Sequence, residues 1–215
     1  RYEKAQCLDL PEVTYQTRDV ELTPQAQKFY KERKSQMQCK TVGETVSTVT
    51  AAVALTRLLQ ISGGAVYTDD GNVLEFDISP RLAVLEEVLQ ETAHKVLLFV
   101  PFKHTINLIR AHLNKARISN AVISGDVTAT HRTAIFNTFQ TTPSLKVLVI
   151  QPQAASHGLT LTARIDRVGQ RNSMTVIHLQ GSEVERRMYK MLQSKVDMHQ
   201  KLVDLFQDEM EDSNG

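Results

Sequence analysis

The chain has 215 residues and a 41% hydrophobic content, enough to fill the core of one sizeable domain or of one domain with a helical appendage. Its formal net charge of +1 provides no global basic field, so any nucleic-acid surface must be a local patch. Cys7 and Cys39 form no C-x-x-C pair, so neither a disulfide framework nor a metal site is indicated and a reducing compartment is the natural reading; no apolar run is long enough to span a membrane, and RYEKAQCLDL has neither the apolar core of a signal peptide nor an initiator Met, so the chain is expected to be a fragment.

Residues 13–22 (VTYQTRDVEL) are rich in β-branched side chains and predict an extended segment. Thr23-Pro24 then places an N-cap before Pro at the first helical position of a charged helix, PQAQKFYKERKSQMQ. A more apolar helix runs from about Thr48 to Ile61 and ends at Gly63-Gly64. AVYTDDGNVLEF carries two short strands around Asp70-Gly71, a hairpin turn signal. Asp69 and Asp70 alone do not make a calcium loop. Ser79-Pro80 opens a helix with Leu82, Leu85 and Leu89 on one face.

From Val96 the pattern alternates. VLLFVP is the kind of apolar run buried on both faces of a parallel sheet. A helix with Ile106, Ile109 and Leu113 in register follows, then a strand (NAVISGD), a helix holding Ile135, Phe136 and Phe139, a strand (KVLVIQP) and a last strand (TVIHLQ). This alternation predicts right-handed crossovers and an α/β fold with a doubly wound parallel sheet, flanked by N- and C-terminal helices. Ser182 and Glu185 form a capping box for a helix with an apolar stripe of Val184, Met188, Met191 and Leu192. A final helix carries Met198, Leu202, Leu205 and Phe206, and the acidic end, DEMEDSNG, is expected to fray.

Ligands of open α/β sheets gather beyond the carboxyl ends of the strands. There the sequence places Pro101-Phe102-Lys103-His104, Ser124-Gly125-Asp126 and QPQAASHG (residues 151–158). A fourth segment, ARIDRVGQR (163–171), precedes TVIHLQ and carries three arginines, a residue whose charged planar fork suits phosphate. Each piece also has a plain reading. Lys103 and His104 can simply start a solvated helix, Ser124-Gly125-Asp126 can be a strand-to-helix turn, and Arg164, Arg167 and Arg171 can be a surface charge run. His131 and His178 read as structural. No G-x-x-x-x-G-K-[ST] loop occurs anywhere, Gly63-Gly64 included. The one Asp-Glu pair, Asp208-Glu209, lies in the acidic tail rather than after a buried strand. The chain therefore lacks the parts that hold ATP and magnesium.

Taken in order, these segments resemble a family, the Swi/Snf-type translocases of helicase superfamily two. KVLLFVPFKHTINLIRAHL is similar to motif four, KVLVIQPQAASHGLTLT to motif five, and ARIDRVGQRNSMTVIHL to motif six, with two arginines three apart followed by a Gly-Gln pair. VISGDVTATHRTAIFNTF resembles the intervening segment, with Gly125, Arg132 and Phe139 in the expected places. SPRLAVLEEVL resembles the helix leading into the lobe and SEVERRMYKMLQSK the stretch after motif six. The wording is closest to helicase-like proteins of bacterial viruses, which implies a host-cytoplasmic, nucleoid-associated protein.

The resemblance implies the second RecA-like lobe of a motor that clamps ATP between two lobes and grips double-stranded DNA across both, with magnesium held by the first. It implies an extended and helical lead-in with a hairpin over 1–78, the lobe over 79–195, and a helix with an acidic tail over 196–215. Arg164 and Arg167 would be arginine fingers, and Gly158, Thr160 and Gln170 would line the nucleotide. Lys103, His104, Gly125, Arg132 and Gln153 would face the DNA backbone, where contacts position the strand and carry little sequence information.

Motif five departs from the family at Gln153, Ser156-His157 and Thr160, and Asp166 replaces a common His between the arginines. GLTLT also runs straight into ARIDRVGQ, where the family places a strand and a helix and a parallel crossover needs about a dozen residues. That predicts residues left out between Thr162 and Ala163. Two other classes compete: a non-catalytic RecA-like module that binds nucleic acid or protein, and a small Rossmann-like enzyme. The second is disfavoured because no Gly-rich fingerprint follows any strand.

Overall fold

The computed structural model describes residues 13–41, 48–68, 70–156, 174–193, 205 and 209. By its contacts the chain divides into two compact units, Arg1–Arg18 with Val88–His178, and Asp19–Glu87 with Leu179–Gly215.

The first unit is built on three parallel strands, β4 (Val96–Phe99), β5 (Asn120–Ile123) and β6 (Val147–Ile150), in the order β4-β6-β5. Helix α4 (Lys103–Lys115) connects β4 to β5, and α5 (Ala129–Thr141) connects β5 to β6. The strands are in step: Val96 and Asn120 both face Val147, and Phe99 and Ile123 both face Ile150. All four residues of β6 are 0% exposed. Leu148 and Ile150 pack with Ile123, Phe136 and Phe139, so Val147 and Val149, which alternate with them, are buried on the opposite face. Complete burial on both faces, expected for VLLFVP, belongs to this strand instead. β4 has one neighbour among the described strands, Val96, Leu97 and Leu98 are half-buried, and Phe99 is 45% exposed.

The helices form where apolar periodicity and caps agree. α4 buries Ile106, Ile109 and Leu113 on one side. α5 begins at Thr128, whose hydroxyl accepts the His131 amide at 3.4 Å, an N-cap of ordinary type. At the opposite end of the sheet, Lys95 donates to the Phe139 carbonyl near the end of α5 and Lys146 to the Thr92 carbonyl just past α3 (Ser79–Glu91). Each lysine meets a region where helix carbonyls lack partners.

TVIHLQ forms β7 (Met174–Gln180), but among the described residues it does not join the parallel sheet. It pairs with β1 (Val13–Asp19), the β-branched segment near the N-terminus. Alternation within each strand marks both as extended, and nothing local to either encodes the partner.

The second unit has its own core. α1 (Pro24–Thr41) supplies Ala26 and Tyr30, α2 (Thr48–Ser62) supplies Ala51, Leu55, Leu58 and Ile61, and α7 (Glu183–Gln193) supplies Val184 and Met191. Strands β2 (Ala65–Tyr67) and β3 (Val73–Glu75) pair antiparallel around Gly71, whose φ of +78° favours glycine. Gly64, at φ +99°, ends α2 by donating to the Ile61 carbonyl at 3.1 Å. Met198, Leu202 and Phe206 lie outside the described residues. Leu205 is buried in this core.

Of the acidic end, expected to fray, Glu209 is the described residue, and it is held in place. Glu209 is 0% exposed. Its carboxylate accepts the Tyr30 hydroxyl at 2.7 Å and faces Lys34 Nζ at 3.2 Å and Arg187 Nε at 3.6 Å. Burial first, and the Glu209 charge next, push the Tyr30 hydroxyl well above its ordinary range, so it stays a donor to that carboxylate.

The capping box forms and is extended. Glu185 accepts the Ser182 amide at 3.2 Å and the Gly181 amide at 2.6 Å, while Ser182 Oγ accepts the Glu185 amide at 3.4 Å. Arg81 binds the same carboxylate through both oxygens at 2.8 and 2.9 Å, and reaches the carbonyls of Ser62 and Leu179. The backbone must come close here: a Cβ on Gly181 would stand 3.1 Å from the Val20 carbonyl and 3.2 Å from Arg81. Removing one partner of a buried pair strands the other charge. Glu185→Ala should therefore lower unfolding free energy by about 3–5 kcal/mol in a urea titration, and Arg81→Met with Glu185→Leu should recover much of that loss. A single variant within about 1 kcal/mol of wild type would show the pair to be solvent-compensated.

Candidate nucleic-acid interface

Because β4, β5 and β6 are in step, they end in one row. The ladder closes with the Val100 amide on the Ile150 carbonyl at 2.9 Å and the Gln151 amide on the Ile123 carbonyl at 2.8 Å. The next residues of each strand thus emerge side by side: Pro101 to Lys103, Ser124 to Asp126, and Gln151 to Gln153.

Lys103 is the first residue of α4 and His104 the second. Lys103 Nζ lies 2.6 Å from an Asp126 carboxylate oxygen, and these side chains are 54% and 64% exposed. An exposed pair of this kind contributes little to stability and exchanges readily. His104 is half-buried. Gly125 is exposed, and its amide donates to Gln151 Oε1 at 3.0 Å. Gln153 is exposed on the short helix α6 (Pro152–Ser156). Lys103, Gly125 and Gln153 therefore follow adjacent strand ends and are exposed to solvent.

Arg132 joins the same edge from α5 in a different way. Its Nε donates to the Val127 carbonyl at 2.8 Å, Nη1 to the Ala154 carbonyl at 2.9 Å and Nη2 to the Gly125 carbonyl at a long 3.5 Å. His131 is exposed beside its Thr128 cap. Two participants escaped the sequence reading of single residues. Gln151 and Asp126 both lie in the segments singled out, and the signal for Gln151 is its position, a polar side chain directly after four fully buried apolar residues. Gly158, Thr160, Arg164, Arg167, Gln170 and Arg171 lie outside the described residues, as does the junction of Thr162 and Ala163. Among the described residues no cluster of His, Cys, Asp or Glu is suited to a metal ion, and no helix is long and apolar enough to cross a membrane.

Space at Gly125 is ample: an added Cβ would meet only Gln151 Oε1, at 3.7 Å. Gly125→Ala should leave stability within about 0.5 kcal/mol of wild type in a thermal melt, so any loss of ligand binding reports close approach of the ligand. A large fall in melting temperature would instead mean that the glycine serves the fold.

Residues 80–181 match the helicase conserved C-terminal domain family. The SWI/SNF-related matrix-associated actin-dependent regulator of chromatin subfamily A-like protein 1 homolog of Caenorhabditis elegans is 28% identical over 159 residues, covering 59% of this chain. The match spans 23% of that relative's length. The Sulfolobus solfataricus SWI2/SNF2 ATPase core in complex with dsDNA has a TM-score of 0.65 at 22% identity, covering 90% of this chain and 46% of that one. The C-terminal domain of the S. solfataricus SWI2/SNF2 ATPase has a TM-score of 0.63 at 18% identity, with 91% and 92% of the two chains covered. The α/β fold, with its parallel sheet and flanking helices, is that of the RecA-like C-terminal lobe of these ATPases.

Proposed function

We propose that the chain is the second motor lobe of an ATP-dependent translocase or helicase acting on double-stranded DNA. The observation that carries this reading is the match of residues 80–181 to the helicase conserved C-terminal domain, a span that contains the parallel sheet and every loop at its carboxyl edge. The DNA-bound ATPase core among the structural neighbours supports duplex DNA as the partner.

In this reading Lys103, His104, Gly125 and Gln153 meet the phosphate backbone, and Arg132 belongs to the same edge. The substrate ATP and its Mg²⁺ are held by a first lobe, whose phosphate loop and Asp-Glu box this sequence does not contain. Gly158, Thr160 and Gln170 line the nucleotide from this side. Arg164 and Arg167 supply guanidinium groups to the transferring phosphoryl as water attacks in line, which stabilises charge on its oxygens mainly in the transition state. The motif wording supports a virus of bacteria as the source, and hence the host cytoplasm and nucleoid as the place of action.

Two measurements test the reading. The 215-residue chain alone should release no phosphate from ATP with or without duplex; turnover above about one per second, within the range of working enzymes, would make it a complete enzyme. In the full-length protein, Arg167→Ala and Arg167→Lys should each lower DNA-stimulated hydrolysis about a thousandfold with DNA binding and melting temperature little changed, since a lysine point charge does not reproduce the planar fork. Hydrolysis within about threefold of wild type, under about 1 kcal/mol, would remove Arg167 from the reaction. A much earlier melt would make it structural.

A further inference from the structure

Two half-buried side chains at the carboxyl edge bond to backbone, and together they join the loops that follow the three described parallel strands. Gln151 stands at the end of β6, the central strand. Its Oε1 accepts the Gly125 amide, after β5, at 3.0 Å, and its Nε2 donates to the Pro101 carbonyl, after β4, at 3.5 Å. Arg132 then ties the loop after β5 to the helix after β6, through Val127 at 2.8 Å and Ala154 at 2.9 Å. Its remaining amino group is directed at the Gly125 carbonyl at 3.5 Å.

We propose that Arg132 and Gln151 are positioning residues that fix the three carboxyl-edge loops, and that Arg132 makes no phosphate contact of its own. A guanidinium has five N–H donors and no acceptor. Here three of the donors, one on each nitrogen, are directed at carbonyls from two separate segments, so the fork is held in the plane of the loops and a bidentate grip on phosphate would have to break bonds that hold them together. Gln151 is suited to its place because one amide both accepts and donates, and the two loops it joins offer one donor and one acceptor. The Gly125 amide is likewise committed to Gln151, which leaves its glycine surface rather than its N–H for a ligand. Lys103 differs from both: its ion pair is with an exposed carboxylate, which a phosphate can replace.

In its DNA arm the proposal rests on the reading of this edge as a phosphate-binding surface. The salt dependence of duplex affinity separates contact from positioning, because each neutralised phosphate contributes about 0.9 to the slope of log K against log salt. Duplex binding by the full-length protein is measured across a salt series for wild type, Lys103→Ala, Arg132→Gln, Arg132→Lys and Gln151→Leu. Lys103→Ala should lower the slope by about 0.9. Arg132→Gln and Gln151→Leu should weaken binding with the slope held within about 0.3, a third of one phosphate contact. Arg132→Lys should fail to restore affinity, since one ammonium cannot span the Val127 and Ala154 carbonyls as the fork does.

Amide hydrogen exchange on the same proteins gives a readout independent of DNA. The Gly125 amide should exchange about tenfold faster in Gln151→Leu, the scale set by one lost hydrogen bond, and amides of 124–127 should exchange faster in Arg132→Gln. A slope that falls by about 0.9 in Arg132→Gln, or binding restored by Arg132→Lys, would make Arg132 a phosphate ligand and overturn the proposal. Wild type without salt-dependent duplex binding would overturn the DNA reading of the edge instead. Exchange would still decide the clamp, and unchanged rates at 124–127 and Gly125 would overturn it.

Discussion

The complete burial of β6 in register with both neighbours is the constraint on which the site depends. A four-residue strand at 0% exposure must satisfy every backbone group through its ladders, because water does not reach them. Those ladders fix Val147 opposite both Val96 and Asn120, and Ile150 opposite both Phe99 and Ile123. A slip of one residue in either neighbour would turn its apolar side chains to the wrong face. The common register is what makes three loops, distant in sequence, leave the sheet at one level. The polar edge is therefore a consequence of an apolar centre.

The second unit solves a different problem with charge. Its core is apolar, but its chain segments are joined by buried ionic groups. Arg81 and Glu185 bind each other and also satisfy the start of α7, the end of α2 and the end of β7. Glu209 brings Tyr30, Lys34 and Arg187 to one carboxylate. Buried pairs contribute little net stability over apolar residues of the same volume, because desolvation offsets their attraction. What they add is direction: a carboxylate with several specific partners accepts fewer alternative arrangements than a leucine would.

Local chemistry made much of the fold legible. The turn at Asp70-Gly71, the glycine stop at Gly64, the Ser182–Glu185 box and the apolar registers of α4 and α5 all act within a few residues, so sequence carries them directly. Strand order does not act locally. VLLFVP and KVLVIQP read alike, yet one lies at the edge of the described sheet and the other at its centre, since partners rather than composition decide burial. The pairing of β1 with β7 is hidden for the same reason, and so is the burial of Glu209, whose acidic neighbours suggest solvent. At the candidate site, residue type and strand ends singled out segments that the register brings to one edge, but did not assign roles. Arg132 has the chemistry of a phosphate ligand and three carbonyl partners, a distinction visible only once Val127 and Ala154 are in place.

A motor lobe built this way has simple requirements. On the proposed reading, the loops must be rigid enough to present a backbone-binding row, and the proposed nucleotide groups, Gly158 to Gln170, follow α6 in sequence. Coupling of the two then needs only that DNA and ATP both favour one arrangement of two lobes. The most direct measurement is steady-state phosphate release by the full-length protein as duplex DNA of arbitrary sequence is titrated in. The account predicts a low basal rate and a saturable rise of about tenfold or more, the effect of about 1.4 kcal/mol of coupling. A rate that no duplex changes, at concentrations where the protein binds it, would contradict a DNA-driven motor.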